Sequence, residues 1–338
     1  MRKNFLIILI LLSAAGCNSP TKEKEFSILN DNSYPRWLQS GLIHSDQTSG
    51  ITYIGNSSTS KKLFLIADDI GKIFHLTIEE DTILNLTPVN FSPSVAAYLD
   101  TFPKADFEEI VYDKYTGNVY LSIEGNNPDP KKFAGIYKLT FENNDLKSNE
   151  ITSIEKLNIN PQNLFTKYIQ ANIGYEGLAA DENYFYLGLE GFSEQSVFAD
   201  STIIFVVDKS NLKIIKEINT KKFGIGTICG LYSDKNNSLY GVDRNNKKLF
   251  HLEFDASFNV TSSSIVNIKT HIPGYSQYEY VASLESITFD DQKNIYITDD
   301  PWKTFFIPSE DVLQKLDEKT VNNFKDFIPI IYKYNFND

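Results

Sequence analysis

One short pattern occurs five times along the chain and limits the fold more than any other feature of the sequence. Each copy begins with a polar or small residue, a second small or acidic residue, and then Ile or Leu. The copies begin with SGI at 49–51, EEI at 108–110, EGL at 176–178, CGL at 229–231 and ESI at 285–287, at intervals of 59, 68, 53 and 56 residues. A period of this length predicts a repeat architecture.

Each copy continues as a series of short apolar strands. Second strands begin near residues 63, 119, 185, 239 and 295, third strands near 73, 136, 203, 249 and 330, and fourth strands near 83, 151, 213 and 264. The strands are apolar on both faces, as Tyr186, Leu187 and Leu189 illustrate, which indicates sheets covered on both sides. We therefore predict an all-β fold, a five-bladed β-propeller with four-stranded blades, and keep six blades as the alternative.

The fifth copy has only three strands. An apolar segment at 26–29 precedes the first copy and has no other assignment. We predict that this N-terminal strand completes the last blade and closes the ring, which removes two exposed sheet edges. With 338 residues, 41% of them hydrophobic, the chain can bury one large core, so residues 26–338 are predicted to form a single propeller domain.

The first residues are typical of a targeting segment. Arg2 and Lys3 precede an apolar run at 5–12 that is too short to span a bilayer as a mature helix. The motif SAAGC at 13–17 resembles a bacterial lipoprotein signal, with cleavage before Cys17 and lipid on its sulfur. We predict a signal peptide at 1–16, a flexible tether at 17–25 and a lipid anchor in a membrane of the bacterial cell envelope, facing the periplasm or the cell exterior. An ordinary secretory signal is the alternative.

The net charge of the chain limits the kinds of molecule that it is expected to bind. The formal net charge is −12, and no cluster of basic residues is visible, so nucleic acid is not an expected partner. An acidic surface favours cations instead. Cys17 and Cys229 are the two cysteines, and lipid on Cys17 would leave no intrachain disulfide.

The strand order predicts which face carries function. Strands of a blade alternate in direction, so first strands begin and second strands end on one face, which we call the upper mouth. The longest insertions fall there: 88–106, 125–134, 158–175, 191–202, 270–283 and 301–329. Loops on a rigid scaffold commonly carry function. The last insertion is predicted to hold the clearest helix, capped by Ser309, either as a lid or as a patch on the blade's flank.

Acidic residues recur at the first position of the pattern. Glu108, Glu176 and Glu285 hold this position in three copies, beside the predicted channel. Like charges in a narrow space repel unless a cation binds or some protonate. Carboxylates without a Cys or His cluster favour Ca²⁺ over zinc. We predict that these three glutamates are metal ligands, with Glu176 and Glu285 the most direct, and that strand alternation turns Glu109 away from the channel.

A second acidic column closes the second strands, with Arg244 in place of an acid in one copy. Pairing with lysines or backbone amides is the favoured role for this column. We retain six residues as candidate contacts for a small molecule, glycan or protein partner: Glu124, Glu190, Asp243, Asp299, Asp300 and Trp302.

The order and spacing of these copies, with SGITY at 49–53, YEGL at 175–178, LESI at 284–287 and NIYITD at 294–299, resemble the SdiA-regulated family of bacterial envelope propellers. More distantly, the openings are similar to those of gluconolactonase-type propellers and esterase-like phytase domains, in which inward acids hold a divalent metal, commonly calcium. The resemblance implies a propeller fold and an envelope location, and supports the three glutamates as metal ligands. It implies no catalytic base.

Three functions stay open at this point. The first is a lipid-anchored propeller that binds calcium at the channel mouth and presents its upper loops to a ligand or partner. The alternative is a metal-dependent hydrolase of an ester, lactone or phosphoester, although no nucleophile elbow, phosphate-binding glycine loop or zinc spacing occurs. The third is a scaffold whose acids only hold the blades together.

Overall fold

A computed structural model describes residues 26–191, 202–301 and 306–337. The predicted signal peptide, the tether with Cys17, and Trp302 lie outside the described residues. No helix within these ranges is long and apolar enough to cross a membrane.

The described chain is mostly β-strand, as predicted. Four short strands come first: β1 (Ser27–Asn30), β2 (Arg36–Trp37), β3 (Gln39–Ser40) and β4 (Ile43–His44). The first antiparallel meander is β5 (Thr48–Asn56), β6 (Lys62–Asp68), β7 (Lys72–Glu79) and β8 (Ile83–Phe91). The second is β9 (Phe107–Asp113), β10 (Asn118–Ile123), β11 (Gly135–Phe141) and β12 (Glu150–Lys156). A short parallel pairing of β8 with β12 joins the two into an eight-stranded sheet.

Two further meanders follow the same plan. The third is β13 (Gly177–Ala180), β14 (Tyr184–Gly188), β15 (Ile203–Asp208) and β16 (Lys213–Asn219). The fourth is β17 (Gly230–Tyr232), β18 (Ser238–Asp243), β19 (Lys248–Phe254) and β20 (Val260–Asn267). A hairpin of β21 (His271–Ile272) and β22 (Tyr275–Glu279) leads to the last sheet.

Both ends of the described chain meet in the last sheet. β23 (Leu284–Phe289), β24 (Asn294–Asp299) and β25 (Ile330–Asn337) form a meander, and β1 pairs antiparallel with the outer edge of β25. The predicted closing role of the N-terminal strand is therefore confirmed. Phe26, just before β1, packs edge-to-face on Tyr240 of the fourth meander, so closure also seals the contact between neighbouring sheets.

The first strands surround a common axis. β5, β9, β13, β17 and β23 contact one another in that order, and β23 contacts β5 again. Each pair of neighbouring sheets also encloses its own cluster of buried apolar side chains. Both faces of the sheets are thus buried, which explains the strands without apolar–polar alternation. This arrangement is a β-propeller.

The helices lie in the connections. They are α1 (Pro93–Leu99), α2 (Pro130–Phe133), α3 (Gln162–Phe165), α4 (Glu310–Leu313) and α5 (Glu318–Lys325), with 3₁₀ helices at Glu142–Asn144 and Lys221–Phe223.

The prediction for the last insertion was wrong about which helix is clearest. The helix that begins after Ser309 has four residues, and the Ser309 side chain makes no capping hydrogen bond. The longer helix is α5, because the Asp317 carboxylate accepts the backbone N–H of Thr320 and caps it. Its Phe324 packs against Trp37 and Tyr280, and no residue of 306–337 lines the upper mouth. The described part of this insertion patches the flank and forms no lid.

Candidate functional site

The upper mouth is a small acidic cavity. Its volume is about 210 Å³, and it is lined by eight carboxylates against two cations, Lys104 and Arg244. The carboxylates are Asp69, Asp106, Glu108, Glu124, Glu176, Glu190, Glu285 and Asp300. All three predicted ligands and three of the six candidate contacts therefore share one space.

Two other candidate contacts serve the fold instead. The buried Asp243 carboxylate accepts hydrogen bonds from the Gly226 N–H and the Thr227 hydroxyl. The buried Asp299 carboxylate accepts from the Ile330 N–H, at 2.5 Å, and from the Tyr280 hydroxyl. These contacts fix the approach to β17 and the start of β25, and neither residue lines the cavity.

One half of the cavity holds three carboxylates that converge. One oxygen each of Asp106, Glu108 and Glu124 lies within 4.8 Å of the others. They meet because Glu108 lies in β9, Asp106 immediately precedes that strand, and Glu124 immediately follows its partner β10. Glu124 is 3% exposed, yet its Oε1 has no hydrogen-bond partner. A Cβ at Gly174 would stand 2.9 Å from Glu124 Cγ, so glycine there leaves room for this carboxylate.

The other half contains its own cation. Arg244 donates through Nη1 to Glu285 and through Nη2 to Glu190, the latter at 2.7 Å. The Ser283 hydroxyl also donates to Glu285, at 2.9 Å. Oε1 of Glu285 therefore has two donors, whereas the predicted ligand Glu176 keeps one buried oxygen, Oε2, without a partner.

Cys229 lies beside these two glutamates. An atom of its side chain lies within 4.8 Å of a carboxylate oxygen of Glu176 and of Glu285. Burial raises the pKa of the Cys229 thiol well above its usual range. The protonated thiol is not a ligand for a hard cation, so the carboxylates that Arg244 now holds are the groups of this half that could bind one.

Burial and mutual repulsion make the ionised carboxylates costly. Burial, followed by the charge of Glu124, raises the pKa of Glu108 well above its usual range. Burial, followed by the charge of Asp106, does the same for the pKa of Glu124. Burial also raises the pKa of Asp69 to about 6. Such groups must take up a proton or find a cation.

Lys104 supplies part of the missing positive charge. Its Nζ lies 2.5 Å from Asp106 Oδ1 and 3.3 Å from Asp69 Oδ2. Although burial opposes it, the hydrogen bond to Asp106 raises the pKa of Lys104 to about 12. The long side chain is 40% exposed, so it can turn toward solvent.

The expectation for Glu109 was wrong. Glu109 is 0% exposed. Its Oε1 accepts hydrogen bonds from the Ile110 N–H at 3.2 Å and the Ser286 hydroxyl at 2.5 Å. The N–H groups of Ile51 and Leu231 also face this carboxylate. Alternation does separate Glu109 from Glu108, but beside the ring axis both sides of an inner strand are interior.

A sequence signal for Glu109 exists in the second position of the pattern. That position holds Gly50, Glu109, Gly177, Gly230 and Ser286. A Cβ at Gly50 would lie 2.6 Å from the Ile110 nitrogen, and one at Gly230 would lie 2.7 Å from the Ser286 Cα. Small residues let the inner strands approach, and the one large side chain fills the centre. A single large residue in a column of small ones was the available clue.

No family model matches the chain, and no curated protein matches it in sequence. Similar solved structures include the PQQ-bound aldose sugar dehydrogenase of Streptomyces coelicolor, 8% identical over 93% of this chain and 99% of that one, with a TM-score of 0.48. A gluconolactonase of Xanthomonas campestris is 10% identical over 87% of each chain, with a TM-score of 0.40. The WD40 β-propeller domain of Doa1 is 8% identical over 89% and 97%, with a TM-score of 0.42. Likenesses this remote carry no information on activity.

Proposed function

We propose that this chain is a five-bladed β-propeller of the bacterial cell envelope that binds a divalent cation, Ca²⁺ by preference, at its upper mouth. Five first strands in a closed order support the blade count. The SAAGC motif supports lipid on Cys17 and attachment to a membrane, and the resemblance to the SdiA-regulated family supports the same location. The upper loops then face a ligand or partner outside the membrane.

The unpartnered Oε1 of Glu124, beside Asp106 and Glu108, carries the cation proposal. A buried carboxylate oxygen without a partner is costly, and a metal ion would supply that partner. Oxygens that share one Ca²⁺ at roughly 2.3–2.6 Å lie at most about 5.2 Å apart. The three carboxylate oxygens lie within 4.8 Å of one another, so one ion could contact all of them.

The ligand chemistry favours calcium. The converging donors are carboxylate oxygens, and calcium accepts six to eight oxygens in flexible geometry, including water. Asn172 and Gln47 line the same cavity, and both residue types carry neutral oxygens that suit calcium. In this proposal the cation takes over the position near Asp106 that the Lys104 ammonium now serves, and Lys104 turns outward.

The proposed ligand set differs from the one expected from sequence. Glu108 keeps its role and gains Asp106 and Glu124, because these three converge. Glu285 loses its role as a direct ligand, because Arg244 and Ser283 already bind its carboxylate. Glu176 borders both halves and is retained as an outer contact.

Calorimetric titration of the metal-free protein with calcium tests the proposal. We expect one site, with Glu108→Gln and Glu124→Gln each weakening binding at least tenfold. Glu285→Gln should weaken it less. Glu155→Gln, an exposed residue of β12, is the matched control and should leave the affinity unchanged. Absence of heat together with an unchanged melting temperature would refute calcium binding.

The second candidate function is a metal-dependent hydrolase of an ester, lactone or phosphoester. The observation that favours it is the free Oε2 of Glu176 in the same cavity as the cation cluster. A bound cation would polarise a substrate oxygen, and Glu176 would be placed to accept a proton from water. Hydrolysis that requires calcium and is abolished in Glu176→Gln would support this function. Inactivity toward esters, lactones and phosphoesters with calcium present would leave the binding function.

A further inference from the structure

A second chamber opens at the opposite end of the ring. Its volume is about 390 Å³, and all five first strands contribute to its wall. The lining comes from residues 51–55, 110–112, 179–180, 231–234 and 287–291, with Lys114 and Lys293 at the edge. We call this space the lower chamber.

The lower chamber is separate from the upper mouth. The two cavities share no lining residue. The layer between them contains Glu109 and Ser286, whose side chains are hydrogen-bonded to each other and 0% exposed. A molecule in the lower chamber therefore does not touch the proposed cation site.

Size and charge distinguish the two spaces. Small-molecule sites usually measure about 300–1,000 Å³, so the lower chamber at about 390 Å³ falls within the range and the upper mouth at about 210 Å³ falls below it. The lower chamber has three acids, Asp234, Asp290 and Asp291, against two lysines. The Asp291 carboxylate already accepts the Tyr53 hydroxyl at 2.8 Å. This nearly balanced charge selects against strongly ionic ligands.

The wall of the lower chamber offers backbone hydrogen-bonding groups. Among the described strands, each first strand forms a ladder on one edge only, so its other edge faces the channel. Thr52 Oγ1 accepts the Tyr112 N–H, and Thr288 Oγ1 accepts the Tyr53 N–H. The Ile51 N–H donates to Ser286 Oγ and the Ile110 N–H to Glu109 Oε1. Strand edges that lack a ladder readily bond an added partner.

Aromatic rings supply flat apolar surface at the same place. Tyr53, Tyr112, Tyr232 and Phe289 line the chamber. The rings of Tyr232 and Phe289 are stacked with centroids 4.5 Å apart and an interplanar angle of 12°. Such rings present an apolar face to a bound ring compound.

We propose that the lower chamber is a binding site for an uncharged ring compound that carries hydroxyl groups. The ring packs against the aromatic side chains, and the hydroxyls bond to the free strand edges. The site does not depend on the cation, so its failure would leave the upper-mouth proposal intact.

Saturation-transfer NMR with phenyl β-D-glucoside as the probe tests this site in the folded protein. We expect transfer to both rings of the probe. Ala180→Phe fills the chamber and should reduce the transfer at least fivefold. Tyr112→Ala removes part of the wall and should reduce it as well, whereas Tyr115→Ala, an exposed tyrosine outside the chamber, should not.

Two results would overturn the proposal. One is no transfer to the probe in the wild-type protein. The other is equal transfer in the wild type and in whichever of Ala180→Phe and Tyr112→Ala retains the wild-type circular dichroism and melting temperature. Glu124→Gln, which impairs the proposed cation site, is expected to leave the transfer unchanged.

Discussion

Ser286 donates its hydroxyl hydrogen to Oε1 of Glu109 from a strand that is not a neighbour of Glu109's strand in the ring. Ser286 lies in β23 and Glu109 in β9, and each of these strands contacts β5. The bond therefore crosses the axis. Ser286 Oγ also accepts the Ile51 N–H, and the Leu231 N–H lies beside Glu109, so the Glu109–Ser286 pair joins four of the five inner strands. The centre of the ring is held by a polar cluster and not by apolar packing alone.

Replacement of Glu109 should destabilise the whole ring. Glu109→Ala leaves the Ser286 hydroxyl and the Ile110 N–H buried without an acceptor, and each such group costs about 1–3 kcal/mol. We expect the free energy of unfolding to fall by about 2–6 kcal/mol in urea titrations. Glu182→Ala, at an exposed turn of the lower face, is the control. Equal midpoints for the two variants would contradict the central role of Glu109.

The positions of the strands could be predicted from the sequence, because strands of blades that are buried on both faces are continuous apolar segments. The openings at 49, 108, 176, 229 and 285 mark first strands, and the following apolar segments match the observed second, third and fourth strands. The closing role of residues 26–29 was accessible because the last copy lacked a strand.

The carboxylates of the proposed cation site could be predicted only in part from the sequence. Glu108 and Glu124 belong to repeated columns, but Asp106 and Lys104 occur once, in an insertion, so no periodicity reveals them. Arg244 stood out as the odd member of its column. Its bonds to Glu190 and Glu285 depend on distances across the ring, which spacing along the chain does not give.

Arg244 should control how many cations bind. Arg244→Gln leaves Glu190 and Glu285 without their cation, and breaking a buried ion pair costs roughly 3–5 kcal/mol. We expect a less stable metal-free protein whose calcium stoichiometry rises from one to two, because the second half of the mouth becomes free. Arg244→Lys keeps the charge and should keep one site. A stoichiometry of one in both variants would contradict the internal-cation role.

Calcium affinity should fall as the pH falls. The pKa values of Glu108 and Glu124 are raised by burial and neighbouring charge, so at low pH these groups hold protons that a cation must displace. We expect the affinity to drop at least tenfold from pH 8 to pH 5. Titrations in buffers with different ionisation enthalpies should show proton release. A pH-independent affinity without proton release would count against these ligands.

Asp299 should make the free energy of unfolding fall as the pH rises from about 4 to about 7. Burial raises its pKa to about 7, although the Ile330 N–H favours the charged form. The folded state therefore binds the proton more tightly than the unfolded state, and this stabilisation is lost as pH rises through about 7. The effect is at most about 4 kcal/mol at 1.36 kcal/mol for each pKa unit. Chemical denaturation of Asp299→Asn should show a flatter pH profile, whereas exposed Asp311→Asn should keep the wild-type slope.

The N-terminal closing segment should contribute to stability mainly through the buried aromatic side chain of Phe26. Phe26 is 7% exposed and contacts Tyr240 and Phe336, so Phe26→Ala should cost about 3 kcal/mol of unfolding free energy. Leu29, in the same segment, is 59% exposed, and Leu29→Ala should cost much less. Thermal melting of both variants measures the difference, and similar losses would show that closure depends on the backbone ladder alone.

The pairing of β1 with β25 delays completion of the last sheet until the end of synthesis. Ser27 pairs with Asn337 and Asn30 with Tyr334, so the strand made first waits for the strand made last. At about 5–20 residues per second, the roughly 300 intervening residues take about 15–60 s. During that time the other meanders can assemble side by side as an open arc, while Phe26 has not yet reached the residues it packs against. The ring is thus completed as a single late event.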